Sequence, residues 1–141
     1  MIVYLVRHAT AGHRASWDGD DDNVRPLDER GLRQAEGLVE LLASRDFGRI
    51  VSSPAVRCVD TVVPLSDARG LAVEPSEAFV EGASAEAALT LFHTAGVPLV
   101  ASVHGDMVEE LTGEHAKKGS TMVLEVGPNG VEVLERIPPQ A

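Results

Sequence analysis

Short apolar runs alternate with amphipathic segments along this chain, and that alternation is the feature that most constrains its fold. The runs at 1–6 (MIVYLV), 49–52 (RIVS) and 97–103 (VPLVASV) predict strands buried inside a sheet. Two further apolar runs flank residues 127–130 (GPNG), whose Asn-Gly step predicts a β-hairpin. The pattern predicts an α/β fold of three layers, α/β/α, in which helices cover both faces of a mostly parallel mixed sheet with a C-terminal β-hairpin.

Capping residues and turn formers mark the predicted helices between these strands. Asp28 is suited to cap a helix that continues towards Gly48, and Pro54 is suited to the first position of a second helix. Shorter helices are predicted over 84–96, with Ser84 as the cap, and over 106–113. The positions expected to face the core are Leu32, Ala35, Leu38, Val39, Leu42 and Ala43 in the first helix, and Val56, Val59, Val63 and Leu65 in the second.

Size and charge limit the class of protein. The chain has 141 residues, 44% of them hydrophobic, so residues 1–141 are expected to form a single domain with its own core. A net charge of -10 disfavours nucleic acid and anionic membrane surfaces as partners. Cys58 is the one cysteine, which excludes an internal disulfide, and no signal peptide or spanning segment stands out, so we expect a cytoplasmic protein.

Basic side chains follow the predicted strands at the points where the strands end. Arg7 and His8 follow the first strand, His104 follows the third, and Arg57 lies one turn into the helix after the second. Because ligands bind at the carboxyl ends of strands in open α/β sheets, we expect these side chains to converge. Guanidinium groups bind phosphate oxygens bidentately, and a neutral imidazole can attack phosphorus. The set therefore predicts phosphoryl transfer.

Four separated stretches resemble motifs of the histidine phosphatase superfamily, which also contains the cofactor-dependent phosphoglycerate mutases. They are LVRHATAG (5–12), RPLDERGLRQAE (25–36), SSPAVRCVDT (52–61) and VASVHGD (100–106). The resemblance implies a phosphoglycerate mutase-like fold and a phosphohistidine intermediate on His8, with Arg7, Arg57 and His104 holding the phosphoryl group. It implies no metal and no cofactor.

The resemblance also implies a carboxylate that protonates the leaving oxygen. Glu81, within AFVEGAS, is the residue predicted for this role, and Glu77 is the alternative. Thr10, close after the nucleophile, is a predicted substrate-binding residue.

Several functions remain open from the sequence. The compact size resembles small SixA-type phosphohistidine phosphatases, whereas stretches such as KKGSTMVLEV (117–126) resemble the phosphatase domain of actinobacterial Nudix fusion proteins. The first favours a phosphohistidine protein as partner, and the second a small phosphorylated molecule such as a nucleotide. An inactive module that binds phosphate or a phosphoprotein is a third reading. A mutase is disfavoured, because residues 70–95 leave little room for a closed lid, and the oligomeric state stays open.

An acidic run precedes the second motif. Asp18, Asp20 and Asp22 have the spacing of the first calcium ligands in an EF-hand loop. Asn23 stands where that loop requires glycine, and Pro26 interrupts the pattern, so we predict a solvated acidic loop and no metal site.

Overall fold

One mixed sheet organises the chain. The computed structural model describes residues 1–19 and 21–140, so Asp20 of the acidic run and Ala141 lie outside the described residues. The strands are β1 Ile2–Arg7, β2 Arg49–Ser52, β3 Val73–Pro75, β4 Leu99–Val103, β5 Thr121–Gly127 and β6 Gly130–Ile137. The α-helices are α1 Glu29–Leu41, α2 Val56–Arg69, α3 Ala85–Thr94 and α4 Gly105–Thr112. Short 3-10 turns occupy Arg14–Ser16, Asp22–Val24 and Glu77–Phe79.

The strand order is β3-β2-β4-β1-β5-β6. Strands β1 to β4 run parallel, whereas β5 is antiparallel to both β1 and β6. Arg7 lies opposite Val103, and Ser52 lies opposite Ser102. The carboxyl ends of β1, β2 and β4 therefore meet at one edge of the sheet, as the sequence predicted.

Helices cover both faces of this sheet. On one face α3 and α4 bury an apolar cluster that includes Leu5, Phe92, Leu99, Met107 and Leu124. On the other face α1 and α2 bury a second cluster that includes Val6, Leu38, Ile50, Val62 and Leu65. All five residues of β4 are buried, as expected for a central strand covered on both sides. The predicted three-layer fold with its C-terminal hairpin is confirmed.

The second helix differs from its prediction in start and in buried face. It begins at Val56 with Ala55 at the N-cap, so Pro54 precedes the helix instead of occupying its first position. The side chains it buries are Arg57, Cys58, Thr61, Val62 and Leu65, whereas Val63 is 36% exposed. The polar members are buried because this end of α2 packs against the loop after β1, where the Thr61 hydroxyl accepts a hydrogen bond from the Ala9 amide at 2.9 Å.

The first helix and the edge of the sheet also differ from their predictions. Helix α1 begins after Asp28 as predicted but ends at Leu41, well before Gly48. Leu32, predicted for the core, is 54% exposed, while Gln34 is 3% exposed and accepts a hydrogen bond from the Thr10 amide at 3.0 Å. The edge strand β3 was not predicted; it has three residues and no apolar alternation. Every helix in the described residues is too short or too polar to span a membrane.

Candidate active site

The structure brings His8, Arg57 and His104 together at the carboxyl ends of the central strands. The His8 amide donates to the Val103 carbonyl at 3.0 Å, which ties the end of β1 to that of β4. The Ser53 amide donates to the Ser102 carbonyl at 2.9 Å, which ties β2 to β4 in the same way. The imidazole rings of His8 and His104 lie 5.7 Å apart, nearly perpendicular to each other.

His8 is held as a neutral imidazole, and within the described residues only its Nδ1 is engaged in a hydrogen bond. The side chain is 6% exposed, and its Nδ1 lies 2.8 Å from the Ala9 carbonyl oxygen. Because a carbonyl only accepts hydrogen bonds, Nδ1 carries the proton and Nε2 keeps its lone pair. Burial lowers the pKa of His8 from 6.5 to about 3, and the nearby charge of Arg57 acts in the same direction. A neutral imidazole in this state can act as a nucleophile at neutral pH.

The loop that carries His8 is fixed by the cap of α1. Asp28 accepts hydrogen bonds from the Gly31 amide at 2.8 Å, the Gly12 amide at 3.0 Å and the Thr10 hydroxyl at 2.6 Å. The Asp28 amide in turn donates to the Thr10 carbonyl at 3.1 Å. One carboxylate thus caps the helix and shapes the loop after His8, and it engages the hydroxyl of Thr10.

His104 is buried beside both Ser53 and Arg57. It is 2% exposed, its Nε2 lies 2.8 Å from the Ser53 hydroxyl oxygen, and its Nδ1 lies 3.5 Å from Arg57 Nη2. Burial and then the Arg57 charge lower the pKa of His104. An arriving phosphate dianion would oppose both effects, because its charge favours a protonated imidazole.

Both guanidinium groups have an unused buried N–H. Arg57 is 1% exposed and donates from Nη1 to the Asp22 carbonyl at 2.8 Å. Arg7 donates from Nη1 to the Ala116 carbonyl at 2.6 Å. Within the described residues, Nε of Arg57 and Nε of Arg7 are buried without a hydrogen-bond partner. Buried donors without acceptors are rare in proteins, so these atoms indicate a place for an anion.

Gly105 makes room for the Arg7 guanidinium. A Cβ atom at this position would lie 2.8 Å from Arg7 Cζ, so only glycine lets the side chain lie against the start of α4. The glycine of the VASVHGD motif therefore positions an arginine from another strand.

Glu81 lies at the edge of the cationic cluster. Its two carboxylate oxygens accept hydrogen bonds from Arg14 at 2.7 and 2.8 Å, and Oε2 lies 3.9 Å from Arg57 Nη2. Glu77 and Glu81 both line a cavity of about 320 Å³ that also contacts Ser53. Of the two predicted acids, Glu81 is thus the one whose contact with the cluster the structure shows. Glu81 could hold a transferable proton only after Arg14 releases one of its oxygens.

Sequence reasoning missed several residues that build the site. Asp22 lies 2.8 Å from Arg25 Nε and 3.2 Å from both Arg57 and Arg14. Arg25 is 7% exposed and also donates to the Ala11 carbonyl at 2.6 Å. Asp22 was assigned to a solvated acidic loop, but it pairs with arginines, which draws residues 21–25 over the pocket. Arg25 is the first residue of the RPLDERGLRQAE motif, and its place in that motif was the sequence signal that could have identified it as part of the site.

Cys58 belongs to the buried face of α2, next to His104. Burial raises the pKa of the Cys58 thiol to about 12, so it is an inert group of α2. Within the described residues, no group of three His, Cys, Asp or Glu side chains is arranged to hold a metal ion.

Two sequence comparisons relate the chain to known proteins. A family model described as the histidine phosphatase superfamily, branch 1, matches residues 3–88. Over 64 residues the chain is 45% identical to the 8-oxo-(d)GTP phosphatase of Mycolicibacterium smegmatis, a stretch covering 45% of this chain and 20% of that protein.

Solved structures show the same fold over the whole chain. A protein from Agrobacterium tumefaciens, assigned as a phosphohistidine phosphatase SixA, superimposes with a TM-score of 0.79 at 25% identity, covering 98% of both chains. The protein histidine phosphatase SixA complexed with tungstate superimposes with a TM-score of 0.82 at 20% identity, covering 99% of this chain and 97% of that one. The family predicted from the motifs is confirmed: the chain belongs to branch 1 of the histidine phosphatase superfamily.

Proposed function

We propose that this protein is a phosphatase that hydrolyses a small phosphorylated compound, such as a nucleotide, through a phosphohistidine on His8. The observation that carries the proposal is the neutral His8 imidazole, whose Nδ1 is hydrogen-bonded to the Ala9 carbonyl and whose surroundings include the charges of Arg57 and Arg7. We propose residues 1–141 as one domain, since the described elements share a single sheet.

The first step transfers the phosphoryl group to the protein. The Nε2 lone pair of His8 forms a bond to phosphorus in line with the departing oxygen, and the phosphorus–oxygen bond to the leaving group breaks. Arg7 and Arg57 bind the phosphoryl oxygens through N–H groups that include the two unpartnered Nε atoms. His104, protonated by the proximity of the dianion, completes the set of donors.

Proton transfer involves Glu81 in both steps. When Arg14 releases one of its oxygens, Glu81 takes up a proton from solvent; its carboxyl group then protonates the leaving oxygen in the first step and becomes a carboxylate. In the second step this carboxylate accepts a proton from water as the water oxygen bonds to phosphorus. The bond between phosphorus and His8 then breaks, which releases phosphate and restores the neutral imidazole.

A nucleotide substrate is supported by the similarity to the 8-oxo-(d)GTP phosphatase over 64 residues. A second candidate, dephosphorylation of a phosphohistidine protein, is supported by the structural likeness to SixA over nearly the whole chain. A module without catalysis is disfavoured, because burying a neutral imidazole beside guanidinium groups adds nothing to simple phosphate binding.

The test is hydrolysis of para-nitrophenyl phosphate without added metal, with trapping of the phosphorylated protein. We expect the wild type to turn over and to form an acid-labile phosphoprotein, and His8→Ala to do neither. His93→Ala is the matched control, because it removes an exposed histidine of α3 and should retain activity. Activity in His8→Ala would contradict the mechanism, and inactivity of the wild type towards every phosphate ester and phosphohistidine protein tried would indicate a binding module.

A further inference from the structure

A basic cleft of about 500 Å³ shares Arg7 with the proposed phosphoryl-binding site. It is lined by Arg7, Arg30, Lys117 and Lys118, together with Thr10 and His115 among others. No described residue that lines it is acidic. The chain has a net charge of -10, so the cleft is a locally positive region on a protein that is negative as a whole.

Both lysines of the chain are placed in this cleft. The sequence contains only Lys117 and Lys118, which are adjacent. In the described residues neither lysine forms an ion pair with a carboxylate. Most of the salt bridges among these residues use an arginine instead. Desolvation and then the nearby Arg7, Arg25 and Arg57 charges lower the pKa of Lys118. Asp28 offsets part of this charge, yet two adjacent ammonium groups without a direct ion pair to a described carboxylate do not stabilise a fold.

The lysine segment is attached to the nucleophile by backbone hydrogen bonds. The Gly119 amide donates to the carbonyl oxygens of His8 at 3.0 Å and Arg7 at 3.1 Å. The Arg7 amide donates to the Ser120 carbonyl at 3.0 Å. The cleft is therefore held in a fixed relation to His8, and Arg7 borders both.

The carboxylates near the cleft are already engaged. Asp28 accepts hydrogen bonds from Thr10, Gly12 and Gly31. Glu109 lies 3.1 Å from His115 at the exposed rim. Neither compensates the two lysines by direct contact, so an anion supplied by a ligand would find their charges available.

We propose that this cleft binds a second phosphate of the substrate while His8 attacks the first. The inference rests on the proposed function and narrows its substrate class to compounds with two neighbouring phosphate groups. The two groups must be close, because Arg7 offers N–H groups to both places from one guanidinium. A diphosphate meets this requirement better than phosphates at opposite ends of a long molecule.

The test compares two inhibitors of para-nitrophenyl phosphate hydrolysis: methylenediphosphonate, which carries two anionic groups, and methylphosphonate, which carries one. For the wild type we expect the inhibition constant of the first to be lower by about tenfold or more, as one or two charge-assisted hydrogen bonds would produce. In the double variant Lys117→Ala/Lys118→Ala that ratio should fall towards one. The ratio is insensitive to a general loss of folded or active protein.

Arg33→Ala is the matched control, because it removes an exposed positive charge of α1 outside the cleft and should keep both the activity and the ratio. No preference in the wild type, or a preference that survives the double substitution, would overturn the inference. If the double variant instead loses activity only towards a phosphohistidine protein, the cleft docks a protein and the inference is also wrong.

Failure of the proposed function is distinguishable by calorimetry with the same two phosphonates. Suppose that the wild type lacks turnover but binds methylenediphosphonate more tightly than methylphosphonate, and that the double variant shows no such preference. This result would support the proposed role of the cleft and contradict the proposed phosphatase activity.

Discussion

The buried neutral state of His8 makes the stability of the fold depend on pH. In the unfolded chain His8 takes up a proton as the pH falls below 6.5, whereas in the folded protein burial holds its pKa at about 3. The unfolded state therefore binds more protons between these values, and the free energy of unfolding falls as the pH falls through this range.

The size of the effect follows from the two pKa values. Between them, each pH unit changes the free energy of unfolding by about 1.4 kcal/mol. From pH 7 to pH 5 the His8 contribution is a loss of roughly 2 kcal/mol, a large share of the stability of an ordinary domain. Because His8 is 6% exposed, solvent screening reduces this figure little.

Urea unfolding followed by circular dichroism at pH 7, 6 and 5 measures this loss. His8→Asn keeps an N–H donor for the Ala9 carbonyl but cannot take up a proton, so its stability should fall less than that of the wild type. His93→Asn, an exposed control, should follow the wild type. A difference between wild type and His8→Asn that stays constant across these pH values would refute the reasoning.

Three further predictions test particular contacts. Gly31→Ala should lower the free energy of unfolding by about 1–3 kcal/mol, because its Cβ would lie 2.0 Å from the Thr10 carbonyl oxygen. Gly37→Ala in the same helix would contact only the side chain of Gln140, which is exposed and near the end of the chain, and should stabilise. Equal melting temperatures for the two variants would contradict this. Glu81→Gln should lower kcat by about 100-fold or more for an alkyl phosphate but little for para-nitrophenyl phosphate, whose leaving group needs no proton, and equal losses would exclude Glu81 as the acid. Cys58 should resist iodoacetamide in the folded protein and react in urea, as mass spectrometry would show, since its thiol is buried and its pKa is about 12.

The strands and the site edge could be predicted because their signals are local. Strand β4 is apolar at nearly every position, as a strand covered on both faces must be, and its end at Val103 follows from the residues themselves. Parallel strands end at one edge, so the convergence of His8, Arg57 and His104 followed from placing their strands in one sheet.

The helix faces could not be predicted from apolar spacing. Arg57 and Thr61 occupy the buried face of α2, while Val63 is 36% exposed. Predicting the buried face from apolar spacing rests on the assumption that a helix packs apolar side chains against an apolar core. This end of α2 packs against a polar loop and a ligand pocket, so polar groups with hydrogen bonds replace the apolar stripe.

The partners of the carboxylates were also beyond sequence reasoning. Asp22 and Arg57 are distant along the chain, as are Arg14 and Glu81, yet each pair lies in contact across the pocket. Nothing in the local composition distinguishes Asp22, which pairs with arginines, from the other aspartates of the acidic run.

The sequence by itself determined the family, the three-layer fold and the residues that meet at the sheet edge, since strand composition and motif spacing are properties of short segments. Only the tertiary structure decided which nitrogen of His8 is free, why that imidazole is neutral, and where both lysines lie. These properties depend on desolvation and on charges that distant segments bring within a few ångströms, and such distances exist only in the folded chain.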